Sequence, residues 1–431
     1  MKIEKIKGFR DQFPEDMGPR KRLLGVAERQ AEIFGFLKVD VPSLESLDLY
    51  RIKSGEELVS QTYSFVDKGG REVTMIPEFT PSVVRMLTSR KDISRPVRWY
   101  GTPKLWRYEE PQAGRLREHI QFNADIFGPD TAEADAEVIG LAASILDSLE
   151  LNGEYEIRIS NREITEKLLK SLGITDIQAA FAVIDRFRKT DEESFVSGIM
   201  ETGASREQAQ KLHEMISKPF GVGELKKKIT GSIPEEDIGQ DIMERMMYTG
   251  KLIGTYTESS VKYDFSIVRG LSYYTGIVFE AFDIMGEFRS ILGGGRYNNL
   301  AALLSDQDIP AVGFGMGDVV IELLMKRAGK WHPESYGDSY YVASLLRGDK
   351  AYAFETANSI RRFRKAVVEV SERGLSSQMK AAASTGCTYA LIIGDKEAKS
   401  GTVTVRDLTT GEQKTLYREE FLDSLEKESP Q

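Results

Sequence analysis

The sequence predicts a multidomain chain of mixed α and β structure, and three observations predict it. Between Trp106 and Gly128, two strand-like runs flank a short Pro-Gly-Arg loop. The second run alternates Arg117, His119, Gln121, Asn123 and Asp125 with Glu118, Ile120, Phe122, Ala124 and Ile126. Successive strand residues point to opposite faces, so one face is polar over five positions and the other mostly apolar. From about 165 to 255 the texture becomes Lys- and Glu-rich and reads as several helices. From Tyr340 onward, strands alternate with helices as in a small α/β domain. A length of 431 residues fits two or three domains rather than one core.

Along the chain, residues 17–34 place Leu23, Leu24, Ala27, Ala31 and Phe34 at helical spacing. A strand over Leu37–Val41 stops at Pro42, which cannot donate inside a ladder. Ser54 and Glu57 have the spacing of a capping box for a short helix. Phe79–Leu87 reads as a helix. Asp130-Thr131-Ala132-Glu133 opens another, with Val138, Leu141, Ala142, Ile145 and Leu149 on one stripe. Strands are expected at Tyr155–Ile159, Val261–Val268, Ile277–Phe282 and Ala311–Gly317, and a helix from Asp318 to Ala328. The polar, Gly- and Pro-punctuated stretch 329–338 reads as a linker. Beyond it come strands at Tyr340–Ser344, Ala366–Val370, Tyr389–Ile393 and Thr402–Asp407, with helices near 348–363 and 375–385.

Composition excludes several classes. The 41% hydrophobic and 29% charged content is ordinary for a globular protein. A single cysteine, Cys387, leaves no intramolecular disulfide, and three distant histidines (His119, His213, His332) argue against zinc. The start MKIEKIKGFR lacks an apolar signal segment, and no apolar run approaches the length of a membrane span. A cytoplasmic protein without membrane partners is expected. The net charge of −9 neither indicates nor excludes nucleic-acid binding, which needs local basic patches.

Four segments could carry chemistry. Half-exposed strands alternate because one face meets water. The hairpin face, however, mixes Arg, His, Gln and Asp, Arg107 and Glu109 share a face of the first run, and the loop adds Arg115; a cup for a charged small ligand is the better reading. In SIVRGLSYYTG, Arg269 stands in an apolar run before Gly270 and Tyr273-Tyr274. A lone Arg there is often a snorkelling side chain, but a rigid, permanently charged fork suits phosphate or carboxylate. LGGGRY (292–297), whose three adjacent glycines suit a loop, and PAVGFGMG (310–317) fit neither a P-loop nor a GxGxxG dinucleotide fingerprint; backbone brought close to a flat ligand is the better reading. In PEFTP, Glu78 reads equally as a cap and as a partner for a substrate amino group, with Thr80 beside it.

Taken together, these segments resemble the histidyl-tRNA synthetases of the class II aminoacyl-tRNA synthetases. The hairpin is similar to motif 2, the helix–strand–Pro42 unit to motif 1 and PAVGFGMG to motif 3. RGLSYYTG and GGGRY resemble the histidine-specific signature peptides. RKAVVEV, SSQMKAA, TYALIIGDKE and GTVTVRD resemble the family's anticodon-binding domain. The resemblance runs from about 5 to about 415 and is weakest in the helical tract. It implies an α+β fold: a class II antiparallel sheet core flanked by helices over 1–164 and 256–328, a helical insertion over 165–255 that clamps the tRNA acceptor arm, and an α/β anticodon-binding domain over 334–431.

The resemblance also assigns residues. Histidine falls to Glu78, Thr80, Gln121, Asp125, Arg269, Tyr273 and Tyr274. ATP falls to Arg107, Glu109, Arg115 and His119, with Gly315 and Gly317 beneath the nucleotide. Gln112 matches the position that touches the tRNA end, and Arg107 and Arg269 are the expected catalytic residues. The implied substrates are histidine, ATP with Mg2+, and tRNA(His), acted on by a homodimer; no zinc is implied. Four positions depart from the family pattern. Asp125 stands where Glu is frequent, His119 where an aromatic often stacks on adenine, and Ser272 where Asp is usual. Val320 stands where motif 3 usually has an arginine, leaving Arg115 or Arg296 to compensate. The main rival is a non-catalytic paralogue resembling the ATP phosphoribosyltransferase regulatory subunit, which typically lacks the RGL-YYTG signature and the anticodon-binding domain. Another class II synthetase and a plain nucleotide-binding module are weaker rivals, opposed respectively by Arg269 with Tyr273-Tyr274 and by the basic run Arg361–Lys365.

Overall fold

The computed structural model describes residues 3–230, 239–268, 273–334 and 337–428. They fall into two compact units, residues 1–333 and 334–431. In the first unit a ten-stranded sheet runs in the order Leu37–Lys38, Val97–Gly101, Glu118–Phe127, Ala311–Gly317, Leu292–Arg296, Ile277–Asp283, Tyr155–Asn161, Ser260–Tyr263 and Phe220–Gly221, with Lys104–Trp106 also paired to Glu118–Phe127. Only Leu37–Lys38 with Val97–Gly101 and Ser260–Tyr263 with Tyr155–Asn161 pair in parallel; the rest is antiparallel. The expected antiparallel core flanked by helices is therefore present.

Strand alternation decides what each face of this sheet does. Phe122, Ala124 and Ile126 join Val312, Phe314 and Met316 in a buried cluster with Leu23, Ala27 and Ala31 of helix Pro14–Ile33 and Val138, Leu141 and Ile145 of helix Ala132–Ser148. Each of the larger side chains here (Val, Leu, Ile, Phe, Met), fully buried, contributes on the order of 1.5–3 kcal/mol. The Ala132–Ser148 helix starts where the sequence places it, because the Thr131 side chain caps the Ala134 N–H. The opposite face carries Gln121, Asn123 and Asp125.

The buried carboxylate of Asp318 joins three parts of the unit. It accepts the Ile120 N–H at 3.1 Å and pairs with Arg10 at 2.8 Å and with buried Arg20. Glu322, one turn on, binds the same two arginines at 2.9 Å each. This network fixes the N-terminal segment and the helix Asp318–Arg327 against the hairpin strand.

Several expectations are corrected. The Ser54–Glu57 pair opens no helix: the helix starts at Asp48 and runs to Ser60, so Ser54 lies inside it. The strand expected over Val261–Val268 ends at Tyr263, where Asp264 turns the chain by accepting the Ser266 N–H at 3.0 Å. Arg107 and Glu109 lie in the loop beyond strand Lys104–Trp106 and share no strand face. Gly293-Gly294-Gly295 is not a loop but the middle of strand Leu292–Arg296. The reason is packing: a Cβ at Gly294 would lie 2.6 Å from Phe314 Cβ and collide with the Gly313 carbonyl, and one at Gly295 would lie 2.9 Å from Tyr274 Cδ1. A three-stranded sheet of Leu44–Ser46, Glu72–Met75 and Ser64–Val66 was not foreseen. The Lys- and Glu-rich tract runs through helices Arg162–Ser171, Ile177–Asp185, Glu192–Met200 and Arg206–Ile216, and its short strand Phe220–Gly221 joins the edge of the large sheet.

The second unit is a five-stranded sheet in the order Lys365–Val368, Ser339–Ser344, Tyr389–Ile393, Thr402–Asp407 and Gln413–Tyr417, parallel over the first three strands and antiparallel over the last two pairings. Helices Ala351–Ile360 and Arg418–Lys427 share one of its cores, and the parallel crossovers need the intervening helices. Among the described residues no helix is long and apolar enough to cross a membrane.

Gly294→Ala should destabilise the protein by about 3 kcal/mol or more, because the strands cannot part without losing their ladder. Gly25→Ala, in helix Pro14–Ile33 with open space around the glycine, should stabilise it by roughly 0.5–1 kcal/mol. Denaturant unfolding of the two variants checks the contrast; equal midpoints would contradict the packing account.

Candidate active site

Directly opposed residues of antiparallel strands share a face, and here the register sets glycines against polar side chains. Gly313 pairs with Asp125, Gly315 with Asn123 and Gly317 with Gln121. A Cβ at Gly313 would lie 2.7 Å from Asp125 Cγ, and one at Gly315 would lie 2.9 Å from Gln121 Cδ. Any larger residue would fill the space these side chains occupy. Gly293, paired with Gly315, extends the bare floor, and Glu280 is paired with Gly293 on its far side. Above this floor opens a cavity of about 800 Å3 whose walls include Arg107, Glu109, Arg115, His119, Gln121, Glu280 and Arg289.

The hairpin loop supplies three of the cavity's charged walls, Arg107, Glu109 and Arg115. Arg107 donates from its backbone to the Arg117 carbonyl at 3.0 Å and from Nε to the Pro77 carbonyl at 3.0 Å. Its guanidinium lies 4.0 Å from Glu78. Arg115 pairs with Glu109 at 2.8 Å. Gln112 and Arg115 close the turn, with N–H to carbonyl distances of 3.0 and 2.9 Å. Gly114 holds φ +77° there, a conformation that L side chains rarely adopt, and it sits directly over Val320. Arg117, polar-faced in sequence, is structural: it stacks on Tyr108 at 4.1 Å and donates to the Glu109 carbonyl.

Other predicted residues are more buried than the cavity lining. Glu78 is 5% exposed and Asp125 1%. The Tyr297 hydroxyl donates to Asp125, and burial, with that carboxylate beside it, pushes the tyrosine well above its usual range, so it stays a donor. Tyr273 stacks against Tyr274 with centroids 4.7 Å apart and meets Tyr297 edge-on at 5.8 Å. Thr80 is the first residue of helix Thr80–Thr88, two residues beyond Glu78. Of the predicted residues, Arg107, Glu109, Arg115, His119, Gln121, Gly315 and Gly317 line the cavity; Asp125 lies on the strand pairing of its floor, Tyr273 and Tyr274 reach Asp125 through Tyr297, and Glu78 lies 4.0 Å from Arg107. Arg269 and Ser272 lie outside the described residues.

Arg296 cannot replace a missing cavity cation. It is buried, pairs with Asp135 at 2.6 Å and donates to the Pro129 and Thr131 carbonyls. Val320 lies on the cavity wall beneath the hairpin turn. Tyr297, Glu280 and Arg289 are site residues that sequence reasoning missed. Tyr297 carried a signal, because it ends the LGGGRY run. Gln112 bonds the Arg289 guanidinium at 2.9 Å through its side-chain oxygen.

Comparison with known proteins follows the same pattern. A model of the histidyl-tRNA synthetase family matches residues 8–318, and one of the anticodon binding domain matches residues 341–428. A histidine–tRNA ligase of Thermoplasma volcanium is 53% identical over 429 residues, 99% of each chain. One of Picrophilus torridus is 48% identical over 429 residues, 99% of this chain and 100% of the other. The crystal structure of histidyl-tRNA synthetase from Nostoc sp. PCC 7120 has a TM-score of 0.84 over 99% of each chain at 21% identity, a likeness of fold.

Loss of solvent and then the charge of Arg107 push His119 down to about 4, opposed by a hydrogen bond with Gln121 and helped least by Arg10 and Arg115. The imidazole is therefore neutral at pH 7 and adds no repulsion among the arginines. Because the folded value lies below the ordinary 6.5, the unfolded chain binds the proton first, and this group's contribution to stability falls as pH drops from about 6.5 toward 4. NMR of the three imidazoles should show the His119 resonance flat between pH 5 and 8. A midpoint near 6.5 would contradict its enclosure.

Proposed function

This chain belongs to the histidyl-tRNA synthetase family, and from that premise we propose how its residues divide the work. It is a histidine–tRNA ligase: it activates histidine with ATP to histidyl-adenylate and transfers the histidyl group to the 3′ end of tRNA(His). One observation carries the residue assignment: an arginine-walled cavity lies over a glycine floor whose strand pairing holds the buried Asp125, bonded to Tyr297 and through it packed on Tyr273.

In the first step a histidine carboxylate oxygen bonds to the α-phosphorus of ATP. The bond from that phosphorus to the bridging oxygen breaks, and pyrophosphate leaves with the electron pair. Arg107 and Arg269 grip the reacting oxygens, so catalysis comes from positioning and charge stabilisation without an enzyme nucleophile. Arg107 is preset by the Pro77 carbonyl, and the role of Arg269 rests on the family resemblance. Arg115 with Glu109 holds the nucleotide, neutral His119 stacks on adenine, and Gly315 and Gly317 lie under it. Mg2+ enters with ATP as part of that substrate. Glu78 and Asp125 receive the amino group and imidazole of histidine, with Thr80, Gln121, Tyr273 and Tyr274 around them; Tyr297 orients Asp125. In the second step the tRNA 3′-hydroxyl attacks the adenylate carbonyl and AMP leaves, with Gln112 against the acceptor end.

The domain roles are part of the same reading. Residues 1–164 and 256–328 form the catalytic core, 165–255 the insertion toward the acceptor arm, and 334–431 the anticodon-binding domain. The enzyme works as a cytoplasmic homodimer, a reading that rests on the resemblance of the helix–strand–Pro42 unit to motif 1.

Pyrophosphate exchange measured with each of the twenty amino acids, then charging of unfractionated tRNA, tests the whole. Exchange with histidine alone is expected; none with any amino acid would point to a non-catalytic paralogue. Arg107→Ala and Arg269→Ala should each slow exchange by roughly 10²–10³-fold, as loss of one transition-state donor does. Exchange at the wild-type rate would remove either residue from the chemistry.

A further inference from the structure

ATP brings several negative charges into a cavity whose cations are mostly held by acids. Arg115 is paired with Glu109, Arg107 lies toward Glu78, and Arg158 and Arg188 share Asp264. Arg289 differs. Among the described residues it forms no ion pair, and its guanidinium is held by the neutral side-chain oxygen of Gln112 at 2.9 Å. An arginine oriented by a neutral acceptor keeps its full charge for an anion.

Its loop is built to present it. Asp283 accepts the Glu287 and Phe288 N–H groups at 3.0 Å each, and Arg327 pairs with Asp283 at 2.8 Å while lying over the Phe288 ring at 5.2 Å. On the other side, the Ser290 hydroxyl donates to the Leu292 carbonyl at 2.7 Å. Arg289 itself is exposed on the cavity wall between these anchored neighbours. Arg107, Arg115 and Arg289 all line this one cavity, and burial with the charges of Arg289 and Arg107 holds Arg115 below its ordinary value against the pull of Glu109. Lys189 also lines the cavity with no acid partner among the described residues, but it is not among the charges acting on Arg115.

We propose that Arg289 binds the polyphosphate of ATP and takes the charge of the departing pyrophosphate, supplying the cation that Val320 cannot. The proposal rests on the ligase reading and adds a residue that the hairpin and its signature peptides do not contain. When Arg289 turns to phosphate, the Gln112 side-chain oxygen is released toward the tRNA end.

Calorimetric titration of inorganic pyrophosphate into the full-length protein tests this without requiring turnover. Arg289→Ala should weaken pyrophosphate binding about 10- to 100-fold, the factor carried by one hydrogen bond to a charged group. The Michaelis constant for ATP should rise in step, that for histidine should stay unchanged, and Arg289→Lys should recover part of the loss. Equal pyrophosphate affinity in wild type and Arg289→Ala overturns the proposal. A wild-type protein that binds pyrophosphate but gives no histidine-dependent exchange would instead overturn the ligase reading, and the titration would still judge Arg289.

Discussion

The site depends on side chains that are missing. Gly313, Gly315 and Gly317 face Asp125, Asn123 and Gln121 across one strand pairing. A single methyl at Gly313 or Gly315 would occupy the space of a carboxylate or an amide. The same strand packs Phe314 and Met316 into the helices on its other face. One stretch of seven residues is thus bare where a ligand must lie and bulky where the core must be filled. Because pairing register fixes which residues oppose, a shift by one would place Phe314 against the carboxylates and empty the core.

On that floor, charge is distributed by partnership. Asp318 is the anchor: it takes the backbone of Ile120, beside His119, and two arginines from the N-terminal segment and first helix. Those arginines are consumed in structure, as is Arg296 with Asp135. In the cavity, Arg115 is held by Glu109, Arg107 lies 4.0 Å from Glu78, Arg289 has the neutral Gln112, and the imidazole among them is held uncharged. A polyanion meets preset donors with little reorganisation, which is the arrangement that makes electrostatic stabilisation effective.

Much of this was legible in the chain. The alternation in Glu118–Phe127 and in Ala311–Gly317 belongs to the strands themselves, and the Thr131 cap lies next to the helix it starts. Period and caps are local, so they survive without knowledge of the fold. The three-glycine run misled for the same reason. Glycine is permissive in a turn and equally required where two strands crowd a phenylalanine, and only the neighbour distinguishes the cases.

The sequence by itself determined the polar face, the glycine spacing, the helix start at Thr131 and the signature peptides, because each is written within a few residues. Tertiary structure decided which arginine answers which acid. Arg296 and Asp135 are separated by 161 positions, and Arg289 and Gln112 by 177. It also brought Tyr297 to Asp125 across 172 positions. Such partnerships follow from strand order and register, which the burial of one whole face of the sheet enforces and no local pattern encodes.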